Sequence, residues 1–106
     1  MPHLTTHVLD AATGTPAAGV ALRLTAADGA EVAAGATDAD GRAGLGPERL
    51  PPGDYTLRFE TAAHFAARGV ETFYPFVAVT FTVTDERHLH VPILLSPFAY
   101  STYRWS

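Results

Sequence analysis

The side chains best able to do chemistry here are imidazoles and guanidiniums. The 106 residues include five histidines and seven arginines, with no lysine and no cysteine. His88 and His90 are two residues apart in HLHVPILLS, so on a strand both lie on the same face. His7 lies in LTTHVLD, near the other end of the sequence. Neutral imidazole suits a general base near neutral pH, and histidines from two strands meeting in a cleft would hold and deprotonate water. Local sequence alone favours the plainer reading of surface or hydrogen-bonded strand histidines, and leaves the other open. Three imidazoles also suit zinc, but there is no H-E-x-x-H pair and no obvious carboxylate partner, so no metal is expected. Arg42 follows Asp38-Ala39-Asp40-Gly41. A turn arginine is usually solvated. A fixed one holds an anionic substrate or a developing oxyanion, and beside a histidine it favours the neutral base. Asp38-Ala39-Asp40-Gly41 also opens like a calcium loop, but the later glutamate is missing, which excludes an EF-hand. The segment Tyr100 to Ser106 carries three aromatic rings and an arginine. It reads as an edge strand packed on a sheet, or as a segment docked in a pocket or subunit contact, where tyrosine and arginine are favoured.

Other chemistries are excluded by composition. Without cysteine there are no disulfides, thiolate zinc sites or cysteine nucleophiles. Without lysine there is no Schiff base and no P-loop. Neither a G-x-S-x-G elbow nor a pair of catalytic carboxylates is present. Eleven acidic residues against seven basic ones give a net charge of −4, the opposite of a nucleic-acid binder. No run approaches ~18 apolar residues, so no membrane span is expected. MPHLTTHVLD lacks a basic stretch followed by an apolar one, and YRWS is not a tail of the S-K-L type, so the expected address is cytoplasmic.

The elements that must position these groups are short. Nine glycines and eight prolines punctuate alternating or β-branched runs, the pattern of an all-β sandwich or barrel. The first run is Leu4 to Leu9, with Thr5, His7 and Leu9 on one face and Leu4, Thr6 and Val8 on the other. Val20 to Thr25 follows, then a turn at Asp28-Gly29 and a weak strand from Glu31 to Thr37. The turn at 37–42 delivers Arg42 into a further short strand. Tyr55 to Glu60 is a strand with Tyr55, Leu57 and Phe59 on one side. Thr61 to Arg68 is the helix, with Thr61 as its cap and Gly69 as its stop. Phe76 to Val83 and His88 to Ser96 read as an antiparallel pair turning at Asp85-Glu86, and Phe98 to Arg104 is extended. The expected architecture is one domain, residues 1–106, of about seven or eight strands and one short helix. A chain of this size buries roughly 65% of its unfolded surface, so its stability margin is small and oligomerisation would help.

Four blocks carry a family likeness: LTTHVLDAATGTPAAGV, TDADGR, ETFYPFVAVTF and HLHVPILLSPFAYSTYR. With them the chain resembles the transthyretin-related 5-hydroxyisourate hydrolases, from Leu4 nearly to its last residue. H-x-H-V-P-I-L-L-S-P followed by Y-S-T-Y-R is the most specific part. The resemblance implies a prealbumin-like (transthyretin-like) β-sandwich, assembled as a homotetramer, a dimer of dimers, with sites in the channel where dimers meet. It implies hydrolysis of 5-hydroxyisourate to 2-oxo-4-hydroxy-4-carboxy-5-ureidoimidazoline in urate degradation, with no metal and no organic cofactor. By resemblance His7, Arg42, His90 and Ser106 are catalytic, and His7, Arg42, Tyr103 and Arg104 bind substrate. His88 matches a neighbouring position. The family tail is Y-R-G-S, and here Trp105 stands where that glycine would be, which bears on substrate fit and on Ser106. Three other functions compete. One is a transthyretin-like carrier of a hydrophobic hormone, a second is a non-enzymatic β-sandwich module, and the third is a relative acting on a different ring.

Overall fold

The strand β1 (Leu4–Asp10) buries Leu4, Thr6, Val8 and Asp10 and turns Thr5, His7 and Leu9 the other way, as its alternation requires. It belongs to a computed structural model describing residues 2–104. The order continues with β2 (Thr15–Pro16), β3 (Ala21–Ala26), β4 (Glu31–Ala36), β5 (Arg42–Leu45), β6 (Gly53–Phe59) and α1 (Thr61–Ala67). It ends with β7 (Val77–Val83), β8 (Leu89–Ser96) and β9 (Ala99–Thr102).

Two sheets face each other. One runs β2-β1-β8-β9, with β5 also paired to β1; the other runs β4-β3-β6-β7. The core lies between them. Leu4 and Val8 of β1 and Ile93 and Leu95 of β8 meet Leu22 and Leu24 of β3 and Leu57 and Phe59 of β6. These side chains are fully buried or nearly so, and burying one of this size stabilises by about 1.5–3 kcal/mol. The all-β sandwich with one short helix is therefore the architecture expected from the sequence.

Two expectations need correction. β7 and β8 are not a hairpin: β7 pairs with β6, while β8 pairs in parallel with β1 and antiparallel with β9. The residues between them cross from one sheet to the other. A short polar connection looks the same in sequence whether the chain turns back beside itself or crosses the end of a sandwich. The crossing is pinned by His3, whose Nε2 lies 2.8 Å from the Arg87 carbonyl and whose own carbonyl accepts from Leu89 N–H at 2.9 Å.

The second correction concerns α1. Glu60, not Thr61, occupies the cap position, and among the described residues no side chain caps the helix. Thr61 is buried within the first turn, and its hydroxyl has no hydrogen-bond partner among the described residues. Packing of the helix against the sandwich has overridden capping. The stop falls where glycine suits it: Gly69 adopts φ 68°. α1 is fastened through His64, whose Nε2 lies 3.0 Å from Asp10 Oδ2. Asp10 also accepts from the N–H groups of Ala12 and Thr13. Burial pushes its carboxyl pKa up, but the bonds from His64, Thr13 and Ala12 outweigh that and hold it below the ordinary value.

Candidate active site

Strand register assembles the site. On the β1–β5 side His7 is directly opposite Arg42, and on the β1–β8 side Thr5 is directly opposite His90. Thr5 and His7 are two residues apart on one strand, so their side chains share its outward face. The pairing therefore brings together groups from three strands that span most of the sequence.

The Asp38–Arg42 turn is built to deliver its arginine. Asp38 Oδ1 accepts from the N–H of Asp40 at 2.8 Å and of Arg42 at 3.0 Å. Those two bonds hold the Asp38 carboxyl below its usual range. The turn then closes on β1, where Val8 N–H donates to the Gly41 carbonyl at 2.7 Å. Gly41 has φ 74°, and a Cβ there would lie 2.5 Å from the Val8 carbonyl oxygen. Only glycine allows this approach.

Together these groups surround an open pocket of about 670 Å³. His7, Arg42, His88, His90 and Tyr103 line it, with Thr5 between the histidines. His90 is half-buried. Its burial, then the positive field of Arg42, His7 and His88, lowers the imidazole pKa. This is the effect expected of an arginine set beside a histidine: it keeps the ring neutral and able to take a proton.

The other candidates fall as follows. Tyr103 lines the pocket from the residues after β9. Arg104 lies in an adjoining, more apolar cleft of about 220 Å³ that it shares with His90, Tyr103 and Phe81. Ser106 and Trp105 lie outside the described residues. The remaining two histidines are elsewhere. His3 is buried between Arg87 and Leu50, and His64 holds Asp10.

Thr5 is the residue that sequence reasoning passed over. Its hydroxyl lies 2.8 Å from His90 Nδ1 and 3.0 Å from His88 Nε2. Its place on the outward face of β1 was readable, but its partners were not, because they depend on a parallel pairing across the whole chain. Among the described residues, no three His, Asp or Glu side chains are grouped to hold a metal ion.

Comparison with known proteins adds the following. Residues 4–105 match the HIUase/Transthyretin family. A 5-hydroxyisourate hydrolase of Mus musculus is 47% identical over 111 residues, covering 97% of this chain and 94% of its own. The solved structure of Klebsiella pneumoniae 5-hydroxyisourate hydrolase superimposes with a TM-score of 0.91 at 40% identity, covering 100% of both chains. Sea bream transthyretin in complex with thyroxine gives a TM-score of 0.89 at 35% identity, covering 96% of this chain and 93% of its own.

Proposed function

The chain belongs to the HIUase/Transthyretin family, and on that premise we infer that it hydrolyses 5-hydroxyisourate in urate degradation. The observation that carries the mechanism is the meeting of His7, Arg42 and His90 around one pocket. Ring opening needs an activated water, a stabilised oxyanion and a proton for the leaving nitrogen. His90, kept neutral by burial and by Arg42, is the base. It takes a proton from a water held between it and His7. The hydroxide attacks the lactam carbonyl carbon, and the electron pair of the C=O bond moves to oxygen. Arg42 stabilises that oxyanion and the anionic ring. When the carbonyl re-forms, the C–N bond breaks and the nitrogen takes the proton from the imidazolium, leaving a carboxylic acid that ionises. Tyr103 and Ser106 position the ring, and Arg104 adds positive charge at its edge. The chemistry draws on side chains and water alone.

The pocket lies on the outward face of the β2-β1-β8-β9 sheet and is open to one side. On the same face Leu94 leaves apolar surface exposed. A second copy laid across this face encloses the site, and we assign the working form to a dimer of dimers. Sedimentation velocity tests this: a monomer at assay concentration with full turnover would contradict it.

The functional test follows ultraviolet absorbance of freshly generated 5-hydroxyisourate against an enzyme-free reference, because the substrate decays unaided. His7→Asn, Arg42→Ala and His90→Asn are each expected to lose about 10²–10⁴-fold in rate while remaining folded. Undiminished turnover by His90→Asn would overturn the assignment. Likeness to a thyroxine-bound transthyretin gives the rival reading substance. Tight thyroxine binding without turnover would favour a carrier.

A further inference from the structure

The Thr5 hydroxyl is shared by two imidazoles, His90 through Nδ1 and His88 through Nε2. A hydroxyl has one proton and two lone pairs. It cannot donate to both rings, so at least one ring must donate to it. If His90 donates from Nδ1, Thr5 passes its own proton to His88 Nε2, and His90 Nε2 keeps its lone pair. If the chain of bonds runs the other way, His90 Nε2 carries the proton and faces the pocket as a donor, unable to act as a base. If both rings donate, His90 again keeps its lone pair at Nε2, but the hydroxyl proton is left with no acceptor at either ring.

The surroundings separate these arrangements. The groups facing His90 are Thr5 and His7 from β1, Arg42 from β5, His88 from just before β8, and Tyr103 and Arg104 from the residues after β9. Beside a fixed guanidinium, a ring edge bearing a lone pair is favoured over one bearing an N–H. The tautomer of a histidine is set by the bond its other nitrogen makes. We propose that Thr5 is the positioning residue of the base: it accepts from His90 Nδ1–H, donates to His88 Nε2, and so keeps His90 Nε2 unprotonated and turned toward the attacking water. This rests on the reading of His90 as the base. Thr5 does not touch the substrate in this scheme; it acts through the ring it holds.

Two independent measurements test it. Long-range proton–nitrogen correlation of the His90 ring, recorded above its titration, is expected to show a protonated Nδ1 and a bare Nε2. A protonated Nε2 overturns the proposal. In kinetics, Thr5→Ser keeps the hydroxyl and is expected to stay within about threefold of the parent kcat. Thr5→Val keeps the β-branched shape and the strand but removes the bond, and is expected to lower kcat about tenfold or more with KM little changed. Its acid limb also moves to lower pH, because an acceptor that stabilised the imidazolium is gone. A Thr5→Val protein with parental kcat and an unmoved limb overturns the proposal. If that variant does not fold, the spectrum of the parent protein decides alone. The two readings fail separately: an active His90→Asn removes His90 as base, whereas an inactive His90→Asn beside a protonated Nε2 in the parent removes only the role of Thr5.

Discussion

His90 carries the electrostatic logic of the site. A base is useful near neutral pH only if it is unprotonated, and an ordinary histidine titrates near 6.5. Partial burial disfavours the charged ring, and Arg42 and the two other histidines disfavour it further. The acid limb of kcat/KM is therefore expected below the ordinary histidine value. Arg42→Ala removes one of the lowering causes, so the His90 pKa should move up. Titration of the His90 ring protons in both proteins checks this even where activity is lost, and an unchanged or lower value in the variant would contradict it. Thr61 poses a different residue-scale question. Its hydroxyl is buried without a partner among the described residues, at a desolvation cost of about 1–3 kcal/mol. Thr61→Val keeps the shape and removes the polar atom, so chemical denaturation should find the variant as stable as the parent or about 1 kcal/mol more stable.

At the scale of elements, the tight turn before β5 decides where the guanidinium goes. Gly41→Ala would place a methyl against the Val8 carbonyl in a conformation costing about 1–3 kcal/mol for a residue with a side chain. Both stability and turnover are expected to fall, and a denaturation curve with an activity assay reads the two together. A variant with the parent's stability would show that the turn relaxes elsewhere. Elements were also the level most legible in the sequence. Period-two alternation located β1, β3 and β6, because each has one face in water and one in the core. The arrangement of those elements was less legible. The link from β7 to β8 reads as a hairpin because spacing records length along the chain and not which sheet receives the next strand. The cap of α1 was misplaced for a related reason: Thr61 has the right chemistry for a cap, but core contacts drew it inside the helix. His7, Arg42 and His90 were picked out from residue type and family motif, whereas Thr5 became visible only once β1 and β8 were known to be neighbours.

At the scale of the whole molecule, acid should loosen the contact between helix and sandwich. Asp10 titrates below the usual carboxylate value in the folded protein. The stability this contributes is fully present above the unfolded carboxylate pKa and is lost as pH falls through the lower folded one. Asp10→Asn removes that linkage, so melting temperatures followed from neutral to strongly acidic pH should fall less steeply for the variant than for the parent. Equal slopes would mean that other carboxylates control acid unfolding.

The parallel alignment of β1 with β8 has a kinetic corollary. It joins residues 4–10 to residues 89–95, one of the longest loop closures the described chain can make. Closures of this kind slow the search for the native topology. On a ribosome, the first strand must wait for its neighbour until β8 has been translated. Until then His7 has no His90 beside it, and a nascent chain can fold its other sheet yet have no working catalyst.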